Sequence, residues 1–404
     1  MTVRVTKPEF NIREKLSQLE RPIGKKGSEI MKSETIQDAR EVIRADRKNL
    51  IINGACNVAQ RGTSSTEHGM HTIDRWSHFR SGVNEAPTFS QADVASGTTP
   101  YELGFRKCLK TVNGHQTGGA GANDYVSLDY RWEAQDIASS GWDYTSTSSY
   151  VTLSFWVKSS VAQNFYFHLT TKDGTTQNYP METGTLSENT WTKITKTIPG
   201  NSNLQFDNNS DAGLQIRIIL FRGTSTTGTI TLNQWGAYNT NLRIPDNATT
   251  WYTTNDATFE LTGAQLEVGS YATDFEHRSY GEELLKCQRY CMRWDNDDSS
   301  HGNHARMPVG MITGGSTGSF PLHHTVPMRA TDGRAISYSI ATLSPQAGGG
   351  GNQSPPSLSI MGDGSTSNTT WINMALGSGR SNNTLFHVRV GSDNDWQIVV
   401  SNEL

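Results

Sequence analysis

The sequence is short of charge, of apolar residues and of cysteine. Charged residues make up 18% of its 404 residues and hydrophobic ones 34%, and the formal net charge is only -4. That near balance gives no general drive toward nucleic acid or an anionic membrane. No window approaches the roughly 18 consecutive apolar residues of a membrane span, so membrane insertion is not expected. The opening Met1-Thr-Val-Arg-Val-Thr-Lys-Pro8 has no apolar core of a secretory signal. The four cysteines, Cys56, Cys108, Cys287 and Cys291, are too few for a disulfide framework at this length. The separation of Cys287 from Cys291 is not that of a zinc pair, so reduced, partly buried thiols are expected.

Catalytic patterns are missing too. There is no Gly-x-Ser-x-Gly elbow. The glycine-rich Thr117–Asn123 stretch lacks the Lys-Ser/Thr of a phosphate loop and reads as a flexible connection. Glu133, Asp136, Glu260, Glu267 and Glu276 are available acids. Glycoside hydrolysis needs two carboxylates across a cleft, which spacing alone does not show. A solvated or structural role is expected for each. The chain reads as a non-enzyme with no cofactor.

What the sequence does hold is glycine, 38 residues of it, with abundant Ser, Thr and Asn. This is the composition of a β-rich protein with many turns. Val151, Leu153, Phe155 and Val157 alternate with Thr152, Ser154, Trp156 and Lys158. Phe165, Phe167 and Leu169 alternate with Tyr166, His168 and Thr170, and Leu214, Ile216, Ile218 and Leu220 with Gln215, Arg217 and Ile219. Period two marks strands with one buried face. Residues 191–198 and 229–235 read as further strands. Phe259 to Val268 is one more, with Gly263 marking a bulge or a close backbone approach. Helix-length periodic segments between these strands are lacking, which favours an antiparallel sandwich over a parallel α/β sheet.

The chain divides into three parts. Residues 1–47 carry two short amphipathic segments, with Ile12, Leu16 and Leu19 on one helical face and Ile36 and Ile43 on another; Phe10 is the only aromatic there. Two such helices form no core alone, so an anchor that docks into another protein is expected. Residues 48–281 form the sandwich. Residues 282–404 begin with a short helix and continue as a second, small β domain, with strands near 336–343, 370–376, 385–390 and 396–400.

Three stretches carry a resemblance. Asn49-Leu-Ile-Ile-Asn-Gly54, with Gln60-Arg-Gly62 and Asp74-Arg-Trp76, resembles the opening strand of jelly-roll modules in bacteriophage fibres. Gly263-Ala-Gln-Leu-Glu-Val-Gly269, with Phe275-Glu-His-Arg-Ser279 and Cys287-Gln-Arg-Tyr290, resembles their closing strand and exit. The resemblance implies a virion structural protein: a homotrimeric tail fibre subunit. Its partners would be other copies of itself, a tail or capsid protein at the N-terminus, and a host-surface glycan. A capsid decoration or head fibre protein is the alternative, and a host-polysaccharide depolymerase a distant third, since no long repetitive β-helix is visible.

Sugar binding needs exposed rings flanked by polar groups. Trp156, Tyr166, His168 and Arg217 fall on the polar phase of their strands and are read as sharing the outer face of one sheet. His301 and His304, with His323 and His324, are the candidates for metal. The resemblance implies a trimer axis around which one such histidine from each chain would build the site. Jelly-roll modules of the resembled kind often hold a structural calcium beside an acid that follows the first strand. Here Asn53-Gly54 is followed by Ala55, Cys56 and Asn57, with no carboxylate.

Overall fold

Alternation over the first 240 residues of the β region builds two antiparallel sheets. In the computed structural model the described residues are 49–295, 306–314, 316–339, 343–346, 357–362, 364–375, 385–390 and 397–404, plus Gly27, Ile30 and Lys32. Met1–Lys48 is one unit and Asn49–Leu404 another. The expected anchor residues Phe10, Ile12, Leu16, Leu19, Ile36 and Ile43 lie outside the described residues.

The sandwich strands are β1 (Ser64–Ser65), β2 (Trp76–Ser81), β3 (Thr88–Asp93), β4 (Lys107–Val112), β5 (Tyr125–Glu133) and β6 (Tyr150–Ser159). They continue with β7 (Asn164–Thr171), β8 (Gln177–Thr185), β9 (Thr192–Pro199), β10 (Ala212–Arg222), β11 (Gly236–Ala237) and β12 (Thr258–Val268). One sheet runs β1-β3-β4-β12-β6-β9 and the other β11-β8-β7-β10-β5-β2. The arrangement is a mainly β, antiparallel sandwich of jelly-roll type.

Residues that alternate inward fill the space between the sheets. Phe155 of the first sheet meets Phe167 of the second edge-to-face at 5.2 Å, and Phe165 meets Phe259 at 5.0 Å. The central strand β12 bulges between Thr262 and Gln265. Gly263 sits there at φ +63°, and a Cβ would come within 2.6 Å of the Phe105 ring, so both backbone and space demand glycine. The segment 229–235, expected as a strand, is not one. It runs as a loop beside β8, where Asn233 donates its N–H to the Pro180 carbonyl at 2.8 Å, and pairing resumes only at Gly236–Ala237. Its Thr/Ile/Leu alternation supplies strand propensity, which tertiary context overrides.

After the sandwich comes the helix Tyr280–Gln288, started by a capping box between Ser279 and Glu282. Among the described residues nine strands follow: β13 (Cys291–Asp295), β14 (Arg306–Gly314), β15 (Thr317–His323), β16 (Ala335–Ser339), β17 (Leu343–Gln346), β18 (Leu358–Ile360), β19 (Thr369–Ala375), β20 (Leu385–Val390) and β21 (Gln397–Ser401). They make a three-stranded sheet, β13-β21-β16, and a six-stranded sheet, β17-β20-β14-β15-β19-β18. Ile312, Phe320, Leu322, Ile372, Met374, Ile398 and Val400 form their shared core.

The last residues bind back onto the sandwich. Glu403 accepts from Arg61 Nη2 at 2.7 Å and Arg75 Nη1 at 2.6 Å. Arg75 is fully buried at φ +72°, with Tyr290 below its guanidinium at 3.5 Å and Tyr130 at 5.2 Å. Asp74 accepts from Gln60, which also donates to the Cys291 carbonyl at 2.7 Å. On the far side Glu133 accepts from Arg289 Nε and from Tyr290 Oη, each at 2.6 Å. Burial alone would raise the Glu403 pKa, but the Arg61 and Arg75 guanidiniums outweigh it and hold the carboxyl below its ordinary range.

Two outcomes follow from these buried charges. Glu403→Gln removes the anion shared by two buried guanidiniums, and stability should fall by about 3–5 kcal/mol in chemical denaturation; a loss under about 1 kcal/mol would show that the anion is dispensable.

The second concerns acid. His78 is buried and stacked on Phe89 at 3.6 Å between ring centroids. Burial first, then the nearby His71 and His68, push its pKa down from 6.5 to about 3. An unfolded chain protonates this ring near pH 6.5 while the folded one keeps it neutral, so stability is lost as pH falls through that window. Asp74, raised to about 6 by burial, acts in the opposite sense, so the comparison must be with a variant. Between pH 7 and 5, His78→Phe should lose about 2 kcal/mol less than the parent in urea titrations; equal losses would contradict the buried neutral ring.

Candidate functional site

The outward side of the second sheet is polar, aromatic and cationic, and strand register places its groups. Along one row across the sheet stand Ser77 of β2, Asp129 of β5, Arg217 of β10, His168 of β7 and Pro180 of β8. One pleat toward one end are Phe79, Ser127, Ile219, Tyr166 and Glu182. One pleat the other way are Arg131, Gln215, Thr170 and Asn178. Tyr125 and Arg222 pair beyond Ser127. From Tyr125 to Arg131 the strand spans about 20 Å.

Asp129 is the anion of this face. It is fully buried, and its oxygens accept from Arg217 Nε at 2.8 Å, Arg217 Nη2 at 2.5 Å and the Gln215 amide. Burial would weaken the Arg217 charge, but Asp129 reverses that and raises its pKa. The surplus is positive. Lys172, beside the end of β7, is pushed down to about 8, first by the surrounding protein and then by the Arg131 and Arg217 guanidiniums. Arg222 is pushed down to about 10 by burial and then by Arg243 and Arg217. Rings stand among these cations. The Arg217 guanidinium lies 5.8 Å from the Phe79 ring, Arg222 4.9 Å from Tyr125 and Arg243 5.7 Å from Tyr238. Tyr166 is half-buried on the same face.

Three buried nitrogens here have no partner among the described residues: His168 Nε2, Arg131 Nε and Arg222 Nε. His168 Nδ1 donates to Asn178 Oδ1 at 2.7 Å, and Asn178 in turn donates to the Arg243 carbonyl. Burial and then Arg217 hold the His168 pKa well below its ordinary value. Its Nε2 is therefore a bare acceptor, while the two arginine nitrogens are donors. Buried polar atoms of both kinds on one face are what a polar ligand would satisfy.

The structure brings together Tyr166, His168 and Arg217, but not Trp156. Trp156 belongs to β6 in the other sheet, opposite Thr262 of β12, and points away from the sandwich core. It is half-buried against a small cluster that holds Phe105 and Cys108, with Trp191 and Phe275 packed on the same cluster. Alternation gives the phase of a side chain along its strand, but not which sheet the strand joins, so the shared face expected for all four residues is wrong for Trp156. Phe79, Asp129, Arg131 and Arg222 were missed. Phe79 and Arg131 do sit on alternating strands, and that phase was the available signal.

The other candidates fare differently. His301 and His304 lie outside the described residues. His324 is bonded at both nitrogens, Nδ1 to the Ser367 carbonyl at 2.7 Å and Nε2 to Thr370 Oγ1 at 2.9 Å, while His323 contacts Thr369. Among the described residues no three metal-ligating side chains cluster. Residues 49–54, expected as an opening strand, form no strand; around them the carbonyls of Asn49 and Ile51 and the carboxylates of Glu276 and Glu283 converge on the Arg278 guanidinium. That guanidinium supplies the positive charge, so a calcium ion does not fit there. The four thiols are buried, and burial then Glu260 push Cys108 up to about 12. Thr117–Asn123 is tied down by Asn84, which accepts from Gly118 N–H at 2.7 Å, and by Asp124, which accepts from Gly121 N–H at 2.8 Å. Among the available acids, Glu133 serves Arg289, Glu260 pairs with Lys158 at 2.9 Å, Glu267 accepts from Thr273, and Glu276 from the Asn49 N–H.

Two clefts, of ≈ 310 and ≈ 410 Å³, flank β11 and share Trp235 in their walls. Trp235 is 7% exposed, packs on Tyr179 at 5.0 Å and donates to the Pro199 carbonyl at 2.7 Å. Its ring face is committed to packing, so these clefts offer no stacking platform.

No protein-family model matches the sequence, and a search of curated proteins found no relative. Among solved structures, the chain is similar to the enzymatically active domain of tailspike protein 4 from bacteriophage CBA120, at 8% identity and a TM-score of 0.29, covering 55% of this chain and 21% of that one. It thus spans about a fifth of that tailspike chain. It is also similar to a putative sugar binding protein from Bacteroides thetaiotaomicron, at 12% identity and a TM-score of 0.28, covering 55% of this chain and 100% of that one. A third similarity is to the CBM22-1 xylan-binding domain from Paenibacillus barcinonensis Xyn10C, at 12% identity and a TM-score of 0.25, covering 56% and 100%. At these scores the likenesses identify no family for the chain.

Proposed function

We propose that the chain is a structural protein of a bacteriophage virion, a self-associating fibre subunit that binds a host-surface glycan and cleaves nothing. The observation that carries the binding role is the outward side of the second sheet, where Phe79, Tyr125 and Tyr166 stand among Arg131, Arg217 and Arg222. Rings that stack on sugar faces, set beside donors that orient hydroxyls, make a glycan site. The virion setting is supported by the fibre-like motifs that open and close the sandwich. The non-catalytic reading is supported by the buried thiols and by the structural bonds of the acids named above.

Self-association is supported by the C-terminal module. Val309 and Met311 of β14, with Leu385 of β20 opposite Met311, are exposed on one side of the six-stranded sheet. A second and third copy would cover them. Light scattering on the full chain should give three times the chain mass; a stable monomer at micromolar concentration would overturn the trimer.

The glycan reading is tested with purified chain on an array of bacterial-surface polysaccharides. Tyr166→Ala should weaken capture at least tenfold, about 1.4 kcal/mol, with little change in melting temperature. Capture by the parent that the variant retains in full would remove this face from the reading. Immunogold labelling of particles then places the chain on tail or head, and particles without label would overturn the virion role.

A further inference from the structure

We infer that the ligand of this face is an anionic glycan, one that carries carboxylate or phosphate groups along its length. The inference rests on the glycan reading above and names the class of sugar. Its basis is the charge left over on the face. Asp129 is saturated by Arg217 and Gln215. Arg131, Lys172 and Arg222 remain on the same face; the surrounding protein disfavours the charged form of each, and Arg217 adds to that at all three, while Asp129 partly offsets it at Arg131. Glu182, at the β8 side, accepts from the neutral Asn164 amide at 2.8 Å, so its charge offsets one of these cations.

Four cations, Arg131, Lys172, Arg217 and Arg222, held against the two carboxylates Asp129 and Glu182 are stabilised by an added anion. The free donors point to the same answer. Arg131 Nε and Arg222 Nε are buried N–H groups with no partner among the described residues, and a carboxylate or phosphate oxygen is their best acceptor. His168 Nε2, a buried neutral acceptor on β7 whose row falls between theirs along the strand direction, suits a sugar hydroxyl. Acid and hydroxyl on one ligand, over about 20 Å of strand, describe an oligosaccharide of acidic residues rather than a single small anion. A neutral sugar would leave the cation surplus uncompensated.

The test uses the full chain and four probes: a galacturonic acid oligomer, the same oligomer with its carboxyls reduced to alcohols, a phosphomannan, and single-stranded oligo-dT. Isothermal titration is run from 50 to 300 mM salt. The acidic oligomer, the phosphomannan or both should bind at least tenfold tighter than the reduced oligomer, with affinity falling as salt rises. Lys172→Gln and Arg131→Gln should each weaken that binding threefold or more, with the melting temperature recorded for each. Equal binding of acidic and reduced oligomers overturns the anionic class while the glycan reading stands. Binding of neither sugar while the phosphomannan also fails overturns both. Oligo-dT bound as tightly as the acidic sugars overturns sugar recognition in favour of bare polyanion attraction. Tight acidic binding unaffected by either substitution moves the site off this face.

Discussion

A carboxylate with no exposure on the outward side of a sheet must be compensated on the spot, and Asp129 dictates the composition of its surroundings. Leaving such an ion unpaired costs several kcal/mol. Arg217 grips it from the next strand with two nitrogens, and Gln215 takes part of the remaining capacity. Once that requirement is met, every further cation on the face is surplus to structure. Arg131, Lys172 and Arg222 are that surplus, and their pKa values are lowered first by the surrounding protein and further by the neighbouring Arg217 guanidinium. A protein selected for stability alone has little reason to keep cations so close. The functional reading grows from this imbalance.

A second charge network does the opposite work. Gln60, Arg61, Asp74 and Arg75, which lie in the motifs that resemble fibre modules, converge with Glu403 at the C-terminus. Here cations and anions match, partners are short, and the non-glycine backbone at Arg75 is held at φ +72°. These motif residues fasten the last strands of the chain to the sandwich, and Arg75 also donates to the Arg131 carbonyl at 2.6 Å. A similar role falls to Arg278 beside residues 49–54, where it provides the charge that gathers two carbonyls and two glutamates. These networks hold the structure, and the cationic surplus of the second sheet marks the site.

The sandwich was legible because period-two alternation runs through β6, most of β7 and Leu214–Leu220 of β10, whose inward residues are Phe, Leu, Ile and Val. Gly263 announced its bulge for the same reason: nothing else fits against Phe105. The failure at 229–235 came from good strand propensity in a stretch whose hydrogen bonds go to β8 singly. Half of the site was readable. Tyr166, His168 and Arg217 lie on adjacent strands that are far apart in sequence, and phase alone placed them outward. Trp156 shares that phase on the other sheet, a distinction that only strand order makes. Asp129 was invisible as an organiser, since an alternating polar residue and a buried anion look alike in sequence.

The most direct measurement follows the arginine Nε–H groups by nitrogen–proton NMR while the galacturonic acid oligomer is titrated into the full chain. Arg131 and Arg222, whose Nε atoms have no partner among the described residues, should shift strongly and saturably. Arg289, whose Nε is held by Glu133 at 2.6 Å, should stay in place. Shifts confined to arginines away from the second sheet, or no shift in Arg131 and Arg222 at saturation, would contradict the account.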